Sequence, residues 1–154
     1  MADLKKLTEE LTELQKQIKA VLELSNYRKY EDLSDIEYTK TPDNLLLVDE
    51  YRGILNMLSE VDYSLDYLNK TVAFEDTLIL QPDKRYGCKN HSQYYTSGTP
   101  IEFLYYDDVS NSSGEFETLP MWRYSRIEHN GSDYYIVGYK DVELNNLKVR
   151  VRNK

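Results

Sequence analysis

A chain of 154 residues with 27 acidic and 19 basic side chains, a net charge of −8, has room for one ordinary domain, or a small domain with a helical appendage. That balance argues against nucleic-acid binding by the chain as a whole, because phosphate recognition calls for a basic patch. One cysteine leaves no intrachain disulfide, so a reducing, cytoplasmic setting is expected.

No apolar run approaches the roughly 20 residues that span a bilayer. The opening Met1-Ala-Asp-Leu-Lys-Lys6 leads directly into a charged helical pattern and lacks the apolar core of a signal peptide. Charge is uneven: residues 1–70 carry 15 acidic and 9 basic groups, net −6, against 12 and 10, net −2, in residues 71–154. An acidic face repels nucleic acid and can attract a protein that binds it.

Leu4, Leu7, Leu11, Leu14, Ile18 and Val21 recur at intervals of 3, 4, 3, 4 and 3. This heptad seam predicts a helix from about residue 3 to about 24, with Asp3 at the positive end of its dipole. Thr41-Pro42-Asp43-Asn44 reads as a second helix start, with Thr41 as N-cap and Pro42 in the first turn. Leu47, Tyr51, Ile54, Leu58, Val61, Leu65 and Leu68 carry the matching seam. An antiparallel helical hairpin is expected; the alternative is that one seam pairs with a second copy, so the chain is a monomer or a dimer. Gly53 costs about 1 kcal/mol relative to Ala inside a helix, and a close approach of the first helix is the expected reason for it.

Between the helices, Glu31, Asp32, Asp35 and Glu37 are interleaved with Tyr27, Tyr30 and Tyr38, and Asp43, Asp49 and Glu50 continue the acidic run. A solvated loop is the plain reading. The functional reading is a binding surface: tyrosine supplies rigid contact area, and spaced carboxylates stand in for phosphates.

Near residues 70–72 the pattern changes from helical to β, so residues 1–70 and 71–154 are expected to be separate domains. A strand is predicted over Val72–Leu80, then a turn at Gln81–Lys84 and a loose hairpin over Arg85–Tyr95. Another turn, Thr96–Pro100, leads into a strand over Ile101–Tyr106, and a polar mobile loop is expected over Asp107–Glu117. Trp122 to Tyr139 reads as a hairpin turning tightly at Asn130-Gly131, with positive φ at both residues. Leu147, Val149 and Val151 alternate with Lys148, Arg150 and Arg152 in a closing strand. The expected class is α+β: a helical hairpin followed by a small antiparallel sheet or SH3-like barrel.

Ser97-Gly-Thr-Pro-Ile-Glu102, Trp122, Ser125-Arg-Ile-Glu-His129, Tyr134-Tyr-Ile-Val-Gly138 and Leu147-Lys-Val-Arg150 together resemble an uncharacterised small β-domain family of Gram-positive bacteria, their phages and mobile elements. The resemblance covers about residues 73–152. It implies the fold and a mobile-element origin, and no activity.

Cys88 and His91 have the spacing of half a zinc site, with His129 as a conceivable third ligand, but a second Cys/His pair is missing. The same residues admit a Cys–His nucleophile pair without a readable oxyanion site. No phosphate loop, dinucleotide fingerprint or hydrolase elbow occurs, so no enzyme activity, cofactor or metal is expected. The leading expectation is a protein-binding, anti-CRISPR-like inhibitor carried by a phage or mobile element. It would occlude the basic groove of a nucleic-acid-handling enzyme, such as a CRISPR effector nuclease, with the acidic tyrosine-rich surface. Alternatives are a nucleic-acid-binding module using Arg123, Arg126, Lys148 and Arg150 with neighbouring aromatics, or a helical dimerisation adaptor.

Overall fold

The first heptad run folds as α1, Leu4–Leu24, with the Asp3 carboxylate accepting a hydrogen bond from the Lys6 backbone N–H at 2.8 Å. This is side-chain N-capping, which satisfies a donor the helix cannot satisfy itself. Helix α2, Pro42–Asn69, starts at Thr41, whose hydroxyl oxygen accepts from the Asn44 N–H at 3.2 Å. Proline in the first turn gives up an N–H that has no intrahelical acceptor. The computed structural model describes residues 3–27, 33 and 35–154. The chain is α+β and divides into two compact units, Met1–Lys70 and Thr71–Lys154.

In the first unit the buried apolar side chains among the described residues are Ile18, Leu33 and Leu55. A Cβ placed on Gly53 meets nothing within 4 Å. The expected close approach of the first helix at this position is therefore absent. Gly53→Ala should stabilise α2 by about 0.5–1 kcal/mol, since alanine loses less backbone entropy and nothing obstructs its methyl group. Urea unfolding followed by helical circular dichroism measures this, and a lowered midpoint would reveal a contact at residue 53.

The second unit is a curled, half-barrel antiparallel sheet of seven strands. They are β1 Val72–Leu80, β2 Tyr86–Cys88, β3 Tyr94–Tyr95, β4 Pro100–Ser110, β5 Phe116–His129, β6 Tyr134–Ile136 and β7 Lys148–Arg152. Their order across the sheet is β3-β2-β1-β7-β4-β5-β6. The closing strand thus lies in the interior of the sheet, paired with β1 on one side and β4 on the other. Cross-strand partners share a face. Phe103 sits opposite Val149 and Arg123, and Asp76 opposite Val149. This is the core face, where Leu78, Ile101, Phe103, Ile127, Ile136 and Val149 are buried. Phe103, Tyr105 and Tyr139 pack edge to face there, with centroids 5.1–6.3 Å apart.

Two turns differ from expectation. The segment Asp107–Glu117 is mostly strand: β4 and β5 stay paired from Pro100↔Arg126 to Ser110↔Phe116. Only residues 111–115 turn, around the Asn111 side-chain oxygen, which accepts from the Ser113 and Glu115 N–H groups, with Gly114 at φ +78°. The polar sequence reflects solvent exposure of a two-stranded ribbon, with backbone pairing intact. The second turn is longer than two residues. His129 pairs with Tyr134, so Asn130–Asp133 form the loop. Gly131 has φ +97° while Asn130 keeps negative φ. The Asn130 side-chain oxygen instead accepts from the Ser132 and Asp133 N–H groups at 3.0 and 2.9 Å. A side chain that mimics a turn carbonyl removes the need for positive φ at its own residue.

Candidate functional site

The acidic stretch is positioned from both ends. The Tyr27 hydroxyl donates to the Asn56 side-chain oxygen at 3.2 Å, and Asn26 donates to the Asp35 carboxylate at 2.6 Å. Leu33 is buried, and the Ile36 N–H reaches its carbonyl at 3.2 Å. Asn44 donates to the Thr39 carbonyl at 2.9 Å, tying the end of the connector to the first turn of α2. Asp35, Glu37, Asp43, Asp49 and Glu50 are exposed, and Tyr38 is half-buried. Asp49 makes an ion pair with Arg52 at 3.3 Å. Tyr30, Glu31 and Asp32 lie outside the described residues.

A polar cluster of α1 and α2 escaped the heptad reading, which left Gln15 and Lys19 at the seam's polar positions. Gln15 is buried. Its amide donates to Asp62 at 3.0 Å and Asp66 at 2.9 Å, and its oxygen accepts from Asn69 at 3.0 Å. Lys19 pairs with Asp62 at 3.0 Å and Asp66 at 3.3 Å. The hydrogen bond to Asp62 raises the Lys19 ammonium above its ordinary value. Burial works to raise the Asp62 carboxyl, but the bonds from Gln15 and Lys19 outweigh it and hold it below its ordinary value. The clue in the sequence was Asp62, Asp66 and Asn69 at intervals of 4 and 3, flanking the second seam.

The four cations of the alternative surface are all paired with carboxylates. Arg123 meets Asp107 at 3.1 Å, Arg126 meets Glu128 at 3.1 Å, Lys148 meets Glu75 at 3.7 Å, and Arg150 meets Glu102 at 2.6 Å. They also do not share one face. Arg123 belongs to the Phe103 face, whereas Arg150 is register partner of Glu102 on the other. Positions 123 and 126 are an odd number apart on one strand, so they point to opposite sides. Glu102 is buried between Arg150 and Arg152, the latter at 2.8 Å, and the Arg150 guanidinium lies 4.4 Å from the Trp122 ring centre. Trp122 therefore faces a cation of its own chain. The strand that carries Lys148, Arg150 and Arg152 lies inside the sheet, so its arginines need an internal carboxylate.

Cys88 and His91 both have Asp76 as a neighbour, whereas His129 sits apart at the Asn130 turn. The His91 Nδ1 is 2.6 Å from the Asp76 carboxylate, and its ring stacks on Phe74 with centroids 3.7 Å apart. Burial pushes the Cys88 thiol up to about 11, with Asp76 adding to the effect; a thiol so placed holds its proton at neutral pH and is a poor nucleophile. The His129 Nδ1 accepts from the Gly131 N–H at 3.1 Å, and its ring packs on Tyr134. Among the described residues, no three His, Cys, Asp or Glu side chains gather in a group able to hold a metal. No described helix is long and apolar enough to cross a membrane.

No curated protein and no solved structure matches the chain. Residues 77–151, from within β1 to within β7, match the model of a family described as a domain of unknown function, DUF5348, and the β unit is similar to that family.

Proposed function

We propose that the chain is a non-enzymatic protein-binding module whose helical unit carries the binding surface. It would be an inhibitor carried by a phage or mobile element and acting on a nucleic-acid-handling defence enzyme, of which a CRISPR effector nuclease is the leading case. The observation that carries this reading is the run of exposed carboxylates Asp35, Glu37, Asp43, Asp49 and Glu50, next to the exposed apolar side chains of Leu45, Leu46 and Tyr51. Negative charge beside accessible apolar area suits a protein groove lined by cations, where charge steers the encounter and apolar contact slows dissociation. The nucleic-acid reading has weaker support, because its four cations already face carboxylates. Two finer features belong to the same proposal. The helical unit is an antiparallel hairpin, supported by bonds that join residue 15 to residues 62–69 and residue 27 to residue 56. The curled sheet is an SH3-like barrel left partly open.

The test is neutralisation of the five exposed acids to Asn or Gln, with binding to a panel of CRISPR effector nucleases measured at low and moderate salt. The wild-type chain should bind one of them with an affinity that falls as salt rises. The neutralised chain should bind about tenfold or more weaker, with a shallower salt dependence. Equal affinity of the two chains would remove this surface from the mechanism.

A further inference from the structure

We infer that the helical unit pairs with a second copy of itself through an apolar stripe that runs along both helices. The inference rests on the antiparallel arrangement of α1 and α2, and is independent of the inhibitor reading. With Leu4, Leu11 and Ile18 as heptad positions a, Leu7, Leu14 and Val21 are d. In α2, Tyr51, Leu58 and Leu65 are a, and Leu47, Ile54, Val61 and Leu68 are d. The contacts inside the unit use positions a, e and b, the last through Lys19 and Asp66. Ile18 at a and Gln15 at e are buried in α1; in α2, Leu55 at e is buried, and Asp62 and Asn69, also at e, bond to Gln15. Of the seven d side chains, six remain 41 to 52 % exposed and Leu68 is 59 % exposed.

Position e follows a by about 40° around the helix, and d lies about 60° to the other side. Contact centred between a and e therefore turns d away from the neighbouring helix. Reversing the direction of one helix also reverses its sense of rotation, so both d stripes fall on the same side of the pair. They are staggered, because Gln15 lies against Asn69, the last residue of α2, and Leu7 lies two turns earlier in α1. Leu7 thus has no residue of α2 opposite it, yet it keeps the seven-residue register.

A second copy fits this face for two reasons. A strict interval of seven on both helices is the pattern that packs knobs into holes, and another pair with the same interval closes a four-helix bundle. Area agrees: the d side chains with Leu24 and Met57 beside them at position g, exposed 82 % and 60 %, offer on the order of 800 Å² per copy, the size of a standard specific interface. Among its described residues the first unit otherwise buries few apolar side chains, Ile18, Leu33 and Leu55. Glu10 and Glu50 also lie at g, so like charges approach in the pair, and added salt should tighten it. Binding to a basic groove has the opposite salt dependence.

Sedimentation equilibrium of the full chain at low and high salt should give a species of twice 18.2 kDa, with a lower dissociation constant at high salt. Leu14→Lys with Val61→Lys should return the mass to a single chain with helical circular dichroism unchanged. If that variant loses its helices, the wild-type chain still decides: its helical unfolding midpoint should fall on about hundredfold dilution, as expected where folding and association are coupled. A wild-type monomer at about 100 μM in both salts, or a midpoint that ignores concentration, overturns the inference. A dimer that survives both substitutions overturns it too, and so does a monomer that takes up a basic amphipathic peptide on this stripe. A monomer that binds a nuclease would leave the inhibitor reading standing, and a dimer that binds none would do the reverse.

Discussion

Glu102→Ala should destabilise the β unit by about 3–5 kcal/mol, the range for breaking a buried ion pair from one side. The Glu102 side chain is 6 % exposed and accepts from Arg150 at 2.6 Å and Arg152 at 2.8 Å, whose own side chains are 18 % and 13 % exposed. Alanine takes away the carboxylate both guanidinium groups share and leaves their charges close together in a region of low dielectric. The site lies where β7 pairs with β4, at Glu102↔Arg150, so the damage should spread to both halves of the sheet. Trp122 is the single tryptophan and lies against Arg150, which makes its fluorescence in a urea titration a direct report. The triple replacement Glu102→Leu, Arg150→Met and Arg152→Leu should recover most of the loss, because apolar groups of similar volume incur no desolvation of charge. A loss below about 1 kcal/mol for Glu102→Ala would mean that water reaches the cluster and screens it.

Asp76→Ala should cost about 2–4 kcal/mol through stranded hydrogen-bond donors. Its carboxylate accepts from the Thr77 N–H at 2.7 Å, the Asn90 N–H at 2.9 Å and the Asn90 side-chain amide at 3.1 Å, and lies 2.6 Å from the His91 Nδ1. It thereby holds the turn after β2 against β1. Burial works to raise this carboxyl, but the bonds from His91, Thr77 and Asn90 prevail and lower it from 3.8 to about 2. A carboxyl depressed in the folded state contributes its stability above the unfolded value and loses it as pH falls toward the folded one. The wild-type β unit should therefore weaken between about pH 4 and pH 2 by roughly 2 kcal/mol through this group alone. Asp76→Asn should start less stable and lack that component. Urea midpoints taken at half-unit steps across the window would show it, and parallel curves for the two proteins would assign the acid sensitivity elsewhere.

Much of the fold was legible because local chemistry specified it. Asp3 and Thr41 mark helix starts through side chains that accept from orphan N–H groups, and the seams from Leu4 and Leu47 set the helical period. Val72–Leu80 was found with its observed bounds. The Asn130 turn was located, although its geometry was misread: the choice between positive φ and a side-chain acceptor depends on which residues pair across it, here His129 and Tyr134. Polar content over Asp107–Glu117 suggested a loop because composition reports contact with water, whereas strand pairing is settled by a partner's backbone.

The candidate surfaces divide in the same way. That acidic and tyrosine-rich residues crowd the connector is a property of the sequence, as is the change of period near residue 70. Which charges remain available was decided by the tertiary structure. Lys148 and Arg150 look like a free basic ladder in one dimension. In the sheet their strand lies between β1 and β4, and register sets Glu75 and Glu102 beside them. Periodicity, likewise, identified the apolar seams without showing which flank of each helix would be covered. Gln15, Asp62 and Asn69 chose one flank through hydrogen bonds between residues about fifty positions apart, leaving the other uncovered by the neighbouring helix. Local sequence determines period, caps and turn sites because those interactions close within a few residues; burial and charge pairing depend on distant residues that only folding brings together.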